Sequence, residues 1–168
     1  MYYCQFPLSR ASIVEYMTIT DLVNHSDYVI EGDVLTIHAV RSGKNIYSVL
    51  RLDRAQVTIN GESTVLDYKP SVRFIGGNYV MKDEDNDTET TIIQKLTGMP
   101  EFSIGERVVL FLKNNGTAKI PFVGLSQGVI RVSKNGLVND NAGTPITRIE
   151  AMSLLKSFLV LSTNGKNL

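Results

Sequence analysis

Phe102-Ser-Ile-Gly-Glu-Arg-Val-Val-Leu-Phe-Leu112 is the stretch of this sequence that decides its fold. Gly105-Glu106 is a turn-type break, and after it Val108, Val109, Leu110, Phe111 and Leu112 run on with no polar interruption. A half-buried strand alternates apolar and polar residues. An unbroken run with β-branched members instead predicts a strand buried on both faces or set inside a closed barrel. Val109 and Phe111 are expected in the core, and Phe102 is expected to anchor the loop that leads in.

The flanks of this run carry the same β language. Residues 28–40, Tyr-Val-Ile-Glu-Gly-Asp-Val-Leu-Thr-Ile-His-Ala-Val, are long for one strand, and Gly32 stands where a bulge or tight bend belongs. Beyond it Val34, Thr36 and His38 are expected on one face and Leu35, Ile37 and Ala39 on the other, the second set apolar. Ser42-Gly-Lys-Asn45 reads as a hairpin turn. The return strand covers 46–59, with a second bulge where the alternation slips at Arg54-Ala55. Asn-Gly pairs start at Asn60, Asn115, Asn135 and Asn164. This dipeptide tolerates positive φ at both turn positions and is a strong hairpin signal. The pair at Asn115 is expected to separate strand 108–112 from a strand at 120–123, and the pair at Asn135 to separate 129–132 from 137–138. Ser71-Val-Arg-Phe-Ile75 is a further strand, closed by Gly76-Gly77. Lys82-Asp-Glu-Asp-Asn-Asp-Thr-Glu-Thr90 reads as a solvated loop.

Roughly five to seven strands without βαβ alternation predict a mainly β fold: a small closed antiparallel barrel over residues 20–145. Helices flank it on this reading. Thr20-Asp-Leu-Val-Asn-His-Ser-Asp27 is a short helical turn, with Thr20 as cap and Asp21 at its positive end. Near the other terminus Pro145 precedes the capping box Thr147-Arg-Ile-Glu150. Ala151, Leu154, Leu155, Phe158 and Leu161 then recur at helical spacing, so 146–162 is expected to pack on the barrel as an amphipathic helix, with 163–168 a tail. Residues 1–19 are an extension that suits helix and strand equally. Glu15 interrupts any apolar signal core, so no signal peptide is read here and a cytoplasmic location stays open; the alternative is that the stretch is the remnant of one.

Composition narrows function by exclusion. The 168 residues carry 17 basic and 17 acidic side chains, so the basic excess of a typical nucleic-acid binder is missing. Cys4 is the single cysteine, which rules out an internal disulfide or a thiolate metal cluster. No run reaches the ~18 apolar residues of a membrane span.

Few motifs carry chemistry. Gly124-Leu-Ser-Gln-Gly128 spells a nucleophile elbow, but strands are expected on both sides of it, and no histidine follows Ser126. The only histidines, His25 and His38, precede it; His38 is the one partner a triad of another chain order would have. The spelling therefore reads as a glycine-flanked bend. Asp83, Asp85 and Asp87, with Glu89 in phase, have the alternate spacing of a calcium loop, yet the EF-hand frame fails, with Thr88 in the glycine place and Gln94 in the glutamate place. These four are the metal candidates, against the plainer reading of a solvated charge run. Glu31 and Asp33 flank Gly32 and are assigned no role. No catalytic residue and no cofactor is assigned.

Taken together, Ser26-Asp-Tyr-Val-Ile-Glu-Gly-Asp-Val34, Phe74-Ile-Gly-Gly77, residues 98–112 and Val123-Gly-Leu-Ser-Gln-Gly-Val-Ile-Arg-Val132 are similar to a diffuse group of mostly bacterial, often exported proteins. The barrel of that group resembles those of tissue inhibitors of metalloproteinases and netrin-type modules, an OB-fold variant. The resemblance spans about residues 20–135. It implies a five-stranded Greek-key barrel, an extracytoplasmic (periplasmic or secreted) location, and a non-catalytic binding module whose partner is a protein or envelope component. It does not carry over protease inhibition, because Cys4 is unpartnered and not at the N-terminus. The alternatives are an OB-type oligosaccharide or nucleic-acid binder, with Tyr47, Phe74 and Tyr79 lining a groove, and a serine hydrolase built on Ser126.

Overall fold

Strand 107–112 is the hub of the structure. The computed structural model describes residues 15–59, 62–83, 88–114, 118–132, 137–139 and 145–147. In chain order these form helix α1 (Ile19–His25) and strands β1 (Tyr28–Ser42), β2 (Asn45–Ile59), β3 (Glu62–Val65), β4 (Ser71–Ile75), β5 (Gly77–Asp83) and β6 (Thr88–Gln94). After them come β7 (Arg107–Leu112), a 3-10 turn (Leu125–Gly128), β8 (Val129–Val132), β9 (Leu137–Asn139) and β10 (Pro145–Thr147). Eight strands make one sheet in the order β10-β9-β8-β7-β1-β2-β3, with β4 also pairing β2, while β5 and β6 form a separate hairpin. The pairings are antiparallel throughout.

The unbroken apolar run of β7 is buried on both faces, as its composition requires. Val108, Leu110 and Leu112, each 0% exposed, point into a core shared with Ile30, Val34, Leu50, Leu52, Val72 and Phe74. Val109 and Phe111 point the other way, into a second core with Leu22, Val123 and Ile130. Helix α1 covers that second core through Leu22. Its cap is Thr18 rather than Thr20: the Thr18 hydroxyl accepts from the Asp21 amide while the Asp21 carboxylate accepts from the Thr18 amide and hydroxyl. Those hydrogen bonds from Thr18, with a lesser contribution from His25, hold the Asp21 carboxyl below its ordinary range.

The long β1–β2 hairpin turns at Gly43-Lys44, between paired Ser42 and Asn45, and both expected bulges are one feature. Gly32 on β1 faces Arg54 and Ala55 on β2, between the pairs Glu31↔Gln56 and Asp33↔Asp53, and Arg54 takes φ +48°. A further register shift between Val34 and Thr36 inserts one residue into β1. It corrects the expected alternation, because Val34 joins Ile37 on the core side.

The predicted closed OB-like barrel is not what the chain forms. The sheet curls into a half-barrel and stops with 17 Å between its edges. Paired strands lie about 4.8 Å apart, so those edges cannot hydrogen-bond to each other. The reason lies in residues 118–123. The expected strand at 120–123 makes only a bridge, Phe122 to Leu112, and the start of the segment lies at the end of β4, where the Ile75 amide donates to the Lys119 carbonyl at 2.8 Å. Side chains fill the space instead of a closing strand. Phe74 of β4, Phe102 before β7 and Phe122 after it form a triangle with ring centroids 5.1–5.8 Å apart. Phe102 thus anchors its loop as expected. The closed barrel was the structural tie to the metalloproteinase-inhibitor and netrin-type modules, so that likeness and the exported location drawn from it lose their warrant.

Two further expectations change. The polar excursion at 82–90 is flanked by strand: β5 runs to Asp83 and β6 resumes at Thr88. Pro145–Thr147, expected at the entry to the C-terminal helix, is a strand paired to β9. The remainder of that helix, and Cys4, lie outside the described residues. Among the described residues no helix is long and apolar enough to cross a membrane.

Phe111→Ala should cost ~3–5 kcal/mol in urea unfolding, because a fully buried ring leaves a cavity that strand and helix cannot both collapse into. A midpoint unchanged by the substitution would refute the assignment of β7 as a strand buried on two sides.

Candidate functional site

The concave face of the half-barrel opens into a cleft of about 500 Å³ beside the phenylalanine triangle. That volume lies within the range of ligand pockets, roughly 300–1,000 Å³. Its apolar lining comes from Phe74 and Phe102 with Met99, Leu96 and Ile37. Ser48, Asn78, Gln94, Lys95 and Glu101 add polar groups at its margin. The lining comes from β1, from Ser48 of β2, from the end of β4, from the root of the β5–β6 hairpin and from the loop 95–102.

Local chemistry holds each wall. Ser48 is buried at 7% exposure, and its hydroxyl donates to the Gly76 carbonyl at 2.8 Å. At the next residue the chain passes so close that a Cβ on Gly77 would stand 2.6 Å from the Ser48 Oγ. Gln94 closes the other strand of that hairpin: its Oε1 accepts from the Ile46 amide at 2.6 Å. The far wall is tied down by Glu106, which accepts from the Ser103 amide at 2.7 Å and pairs with Arg131 at 3.2 Å. Arg131 also donates to the Glu101 carbonyl.

A cluster of charges sits on the opposite face of β1 and β7. Arg107 pairs with Glu31 at 2.7 Å and with Asp33 at 3.1 Å, and Arg54 pairs with Asp33 at 2.7 Å. Burial acts to lower the Arg107 guanidinium, but the Glu31 and then the Asp33 carboxylates outweigh it and hold the group above its usual range. Glu31 and Asp33 therefore terminate the second core beyond Val109 as one structural ion network.

The other residues singled out by sequence are dispersed. Gly124-Leu-Ser-Gln-Gly128 forms a 3-10 turn leading into a strand, with Gly124 at φ +63° and Leu125 at φ +60°. Both glycines answer to packing. A Cβ on Gly124 would lie 2.8 Å from the Met17 sulfur, and one on Gly128 would overlap the Val123 carbonyl oxygen. Ser126 is exposed and its amide donates to the Gly98 carbonyl. Gln127 carries the structural role of the motif: it accepts from the Met17 amide at 2.8 Å and donates to the Glu15 carbonyl at 2.9 Å, which fastens the segment before α1. His25, on α1, contacts the Asp21 carbonyl, and His38 is an exposed residue of β1.

Of the calcium candidates, Asp83 ends β5 and Glu89 lies on β6, where Lys82 pairs with it at 2.9 Å; Asp85 and Asp87 lie outside the described residues. Among the described residues, no group of three or more His, Cys, Asp or Glu is placed to hold a metal ion. Tyr47, Phe74 and Tyr79 do not share a surface. Ser48 is the register partner of Phe74, so Tyr47 projects from the other face of the sheet, where Arg73 stacks on its ring at 3.9 Å. Tyr79 is on β5.

The cleft itself was missed in the sequence. Its only local signal was the pair Gly98 and Pro100 marking a loop before Phe102. Comparison with protein-family models, with curated proteins and with solved structures gave no match to this chain.

Two pairs of substitutions test these assignments in urea unfolding. Gly128→Ala should cost about 1–3 kcal/mol, whereas Ser126→Ala should stay within ~0.5 kcal/mol. Arg107→Ala, which strips a cation from nearly buried Glu31, should cost about 2–3 kcal/mol, while Arg54→Ala, whose side chain is 75% exposed, should cost under ~1 kcal/mol. Equal effects within either pair would contradict the roles of these residues.

Proposed function

We propose that this chain is a non-catalytic binding module and that its ligand site is the cleft on the concave face. The observation that carries the reading is the form of that cleft: an aromatic and aliphatic lining with a few polar groups at its margin, set on a rigid sheet. Phe74 and Phe102 are held by their mutual packing and by Phe122, so the apolar surface exists before any ligand arrives. Preformed surface of this kind reduces the ordering cost of binding. The hydrolase alternative has little support, because the glycines of its motif are accounted for by packing around Met17 and Val123.

A fragment screen followed by amide and methyl NMR is the direct test. Small aromatic fragments should perturb Ile37, Leu96 and Met99 together, and Met99→Glu should weaken their binding about tenfold or more. Fragments that find no site, or that gather on the exposed face of the β5–β6 hairpin around Val80 and Ile93, would overturn the assignment.

A further inference from the structure

We infer that the cleft is a strand-addition site, in which an extended, alternately apolar peptide segment of a protein partner pairs with the free edge of β1 at Ile37 and Ala39. This rests on the reading of the cleft as the ligand site and specifies what the ligand is.

The hydrogen-bond directions along the hairpin fix which backbone groups are free. On β2, the Ile46 amide donates to Gln94 and its carbonyl accepts from Gly76, while the Leu52 amide donates to the Pro70 carbonyl. These residues therefore turn their backbone groups away from β1, and with a two-residue period so do Ser48 and Leu50. Their register partners on β1 are Arg41, Ala39, Ile37 and Val34, which must likewise turn away from β2. Val34 confirms the phase: its amide donates to the Glu106 carbonyl and its carbonyl accepts from Gly105, both at 2.8 Å. The step from Val34 to Ile37 breaks the two-residue rhythm by one residue, which is the residue added by the register shift between Val34 and Thr36. Beyond Val34 the edge has no strand partner among the described residues. The backbone groups of Ile37 and Ala39 make no hydrogen bond to another described residue.

The cleft reaches this part of β1 and extends across Ser48 of β2 and Phe74 of β4. Ile37, His38 and Ala39 line it consecutively. Side chains of successive strand residues point to opposite faces, so Ile37 and Ala39 share one face of the sheet with their register partners Leu50 and Ser48. An extended chain laid there would satisfy the free amides and carbonyls and turn every second side chain onto Met99, Phe102 and Leu96.

Two measurements on the full-length chain test this. In hydrogen exchange without peptide, the Ile37 and Ala39 amides should exchange about tenfold or more faster than those of His38 and Val40, which face β2. A phage-displayed dodecapeptide library panned on the chain should then yield a binder that protects Ile37 and Ala39. N-methylation of that synthetic peptide should weaken it about tenfold at every second nitrogen and leave the intervening positions unaffected. Ala39→Pro should abolish binding, and the peptide series keeps the test valid if that variant does not fold. If fragments bind the cleft but the library gives no binder, or the N-methyl series shows no alternation, strand addition fails while the cleft reading survives. If neither fragments nor peptides bind, both fail. Ile37 and Ala39 amides already protected in the free chain, whether by its own segments or in a concentration-dependent way by a second copy, would overturn the proposal.

Discussion

A strand that is apolar on both faces cannot lie at the surface of anything, and β7 imposes that condition on the whole chain. Its inward side chains need a curved sheet around them, which β1, β2, β4 and β8 supply. Its outward side chains, Val109 and Phe111, need a second cover, which α1 and residues 123–130 supply. Full burial of a large apolar side chain is worth roughly 1.5–3 kcal/mol, and the partly exposed ion pairs near β7 contribute far less each. The Arg107 network therefore marks where the second core ends rather than driving its formation. At that end the outer face of β7 changes from Val109 to Arg107, and β1 changes in step from Val29 to Glu31 and Asp33.

Curvature without closure follows from where the irregular residues fall. Gly32 against Arg54-Ala55, and the extra residue after Val34, bend β1 and β2 midway, so one 15-residue hairpin arm after another serves two parts of the curl. The first half of β1 pairs β7, and the first half of β2 pairs β4. A barrel would need the chain after β7 to pair back along β4. The Phe102, Phe74 and Phe122 rings occupy the interior there, and Pro121 is buried and lacks the amide a ladder requires. Aromatic contacts add ~0.5–1.5 kcal/mol per pair beyond burial, enough to hold an open curl without a closing strand.

The parts of this fold legible in the sequence were those governed by contiguous residues. The double burial of β7, the Gly43-Lys44 turn, the paired bulges and the bounds of β4 all follow from local composition and period. The parts that were not legible depend on distant partners. In Ile120-Pro-Phe-Val123 the local warning is Pro121, which lacks a ladder amide, but the positions of Phe74 and Phe102 that fill the interior there are set by distant chain. The charged run at 82–90 looks like a loop because its residues are solvated, yet an exposed hairpin is solvated too. The site suffered most, since Ile37, Met99 and Phe102 meet only through the curl, and Gly-Leu-Ser-Gln-Gly spelled a catalytic motif for reasons of packing.

The two edges of the β1–β2 hairpin show why the cleft stands apart from ordinary surface. On β2 the outward backbone groups are used along the strand: Gln94 and Gly76 take Ile46, β4 takes residues 47–51, Pro70 takes Leu52 and β3 takes residues 56–59. On β1, among the described residues, the same pattern holds only as far as Val34, where Gly105 and Glu106 substitute for β7. Exposed strand edges template unwanted pairing and are usually short, charged or covered. Ile37, His38 and Ala39 of this edge instead border the cleft. The loop 95–102, fixed by the Arg131 contacts to Glu101 and Glu106, lines the same cleft. Backbone groups that meet no described partner, set beside an apolar lining, are the combination on which the proposed strand addition rests.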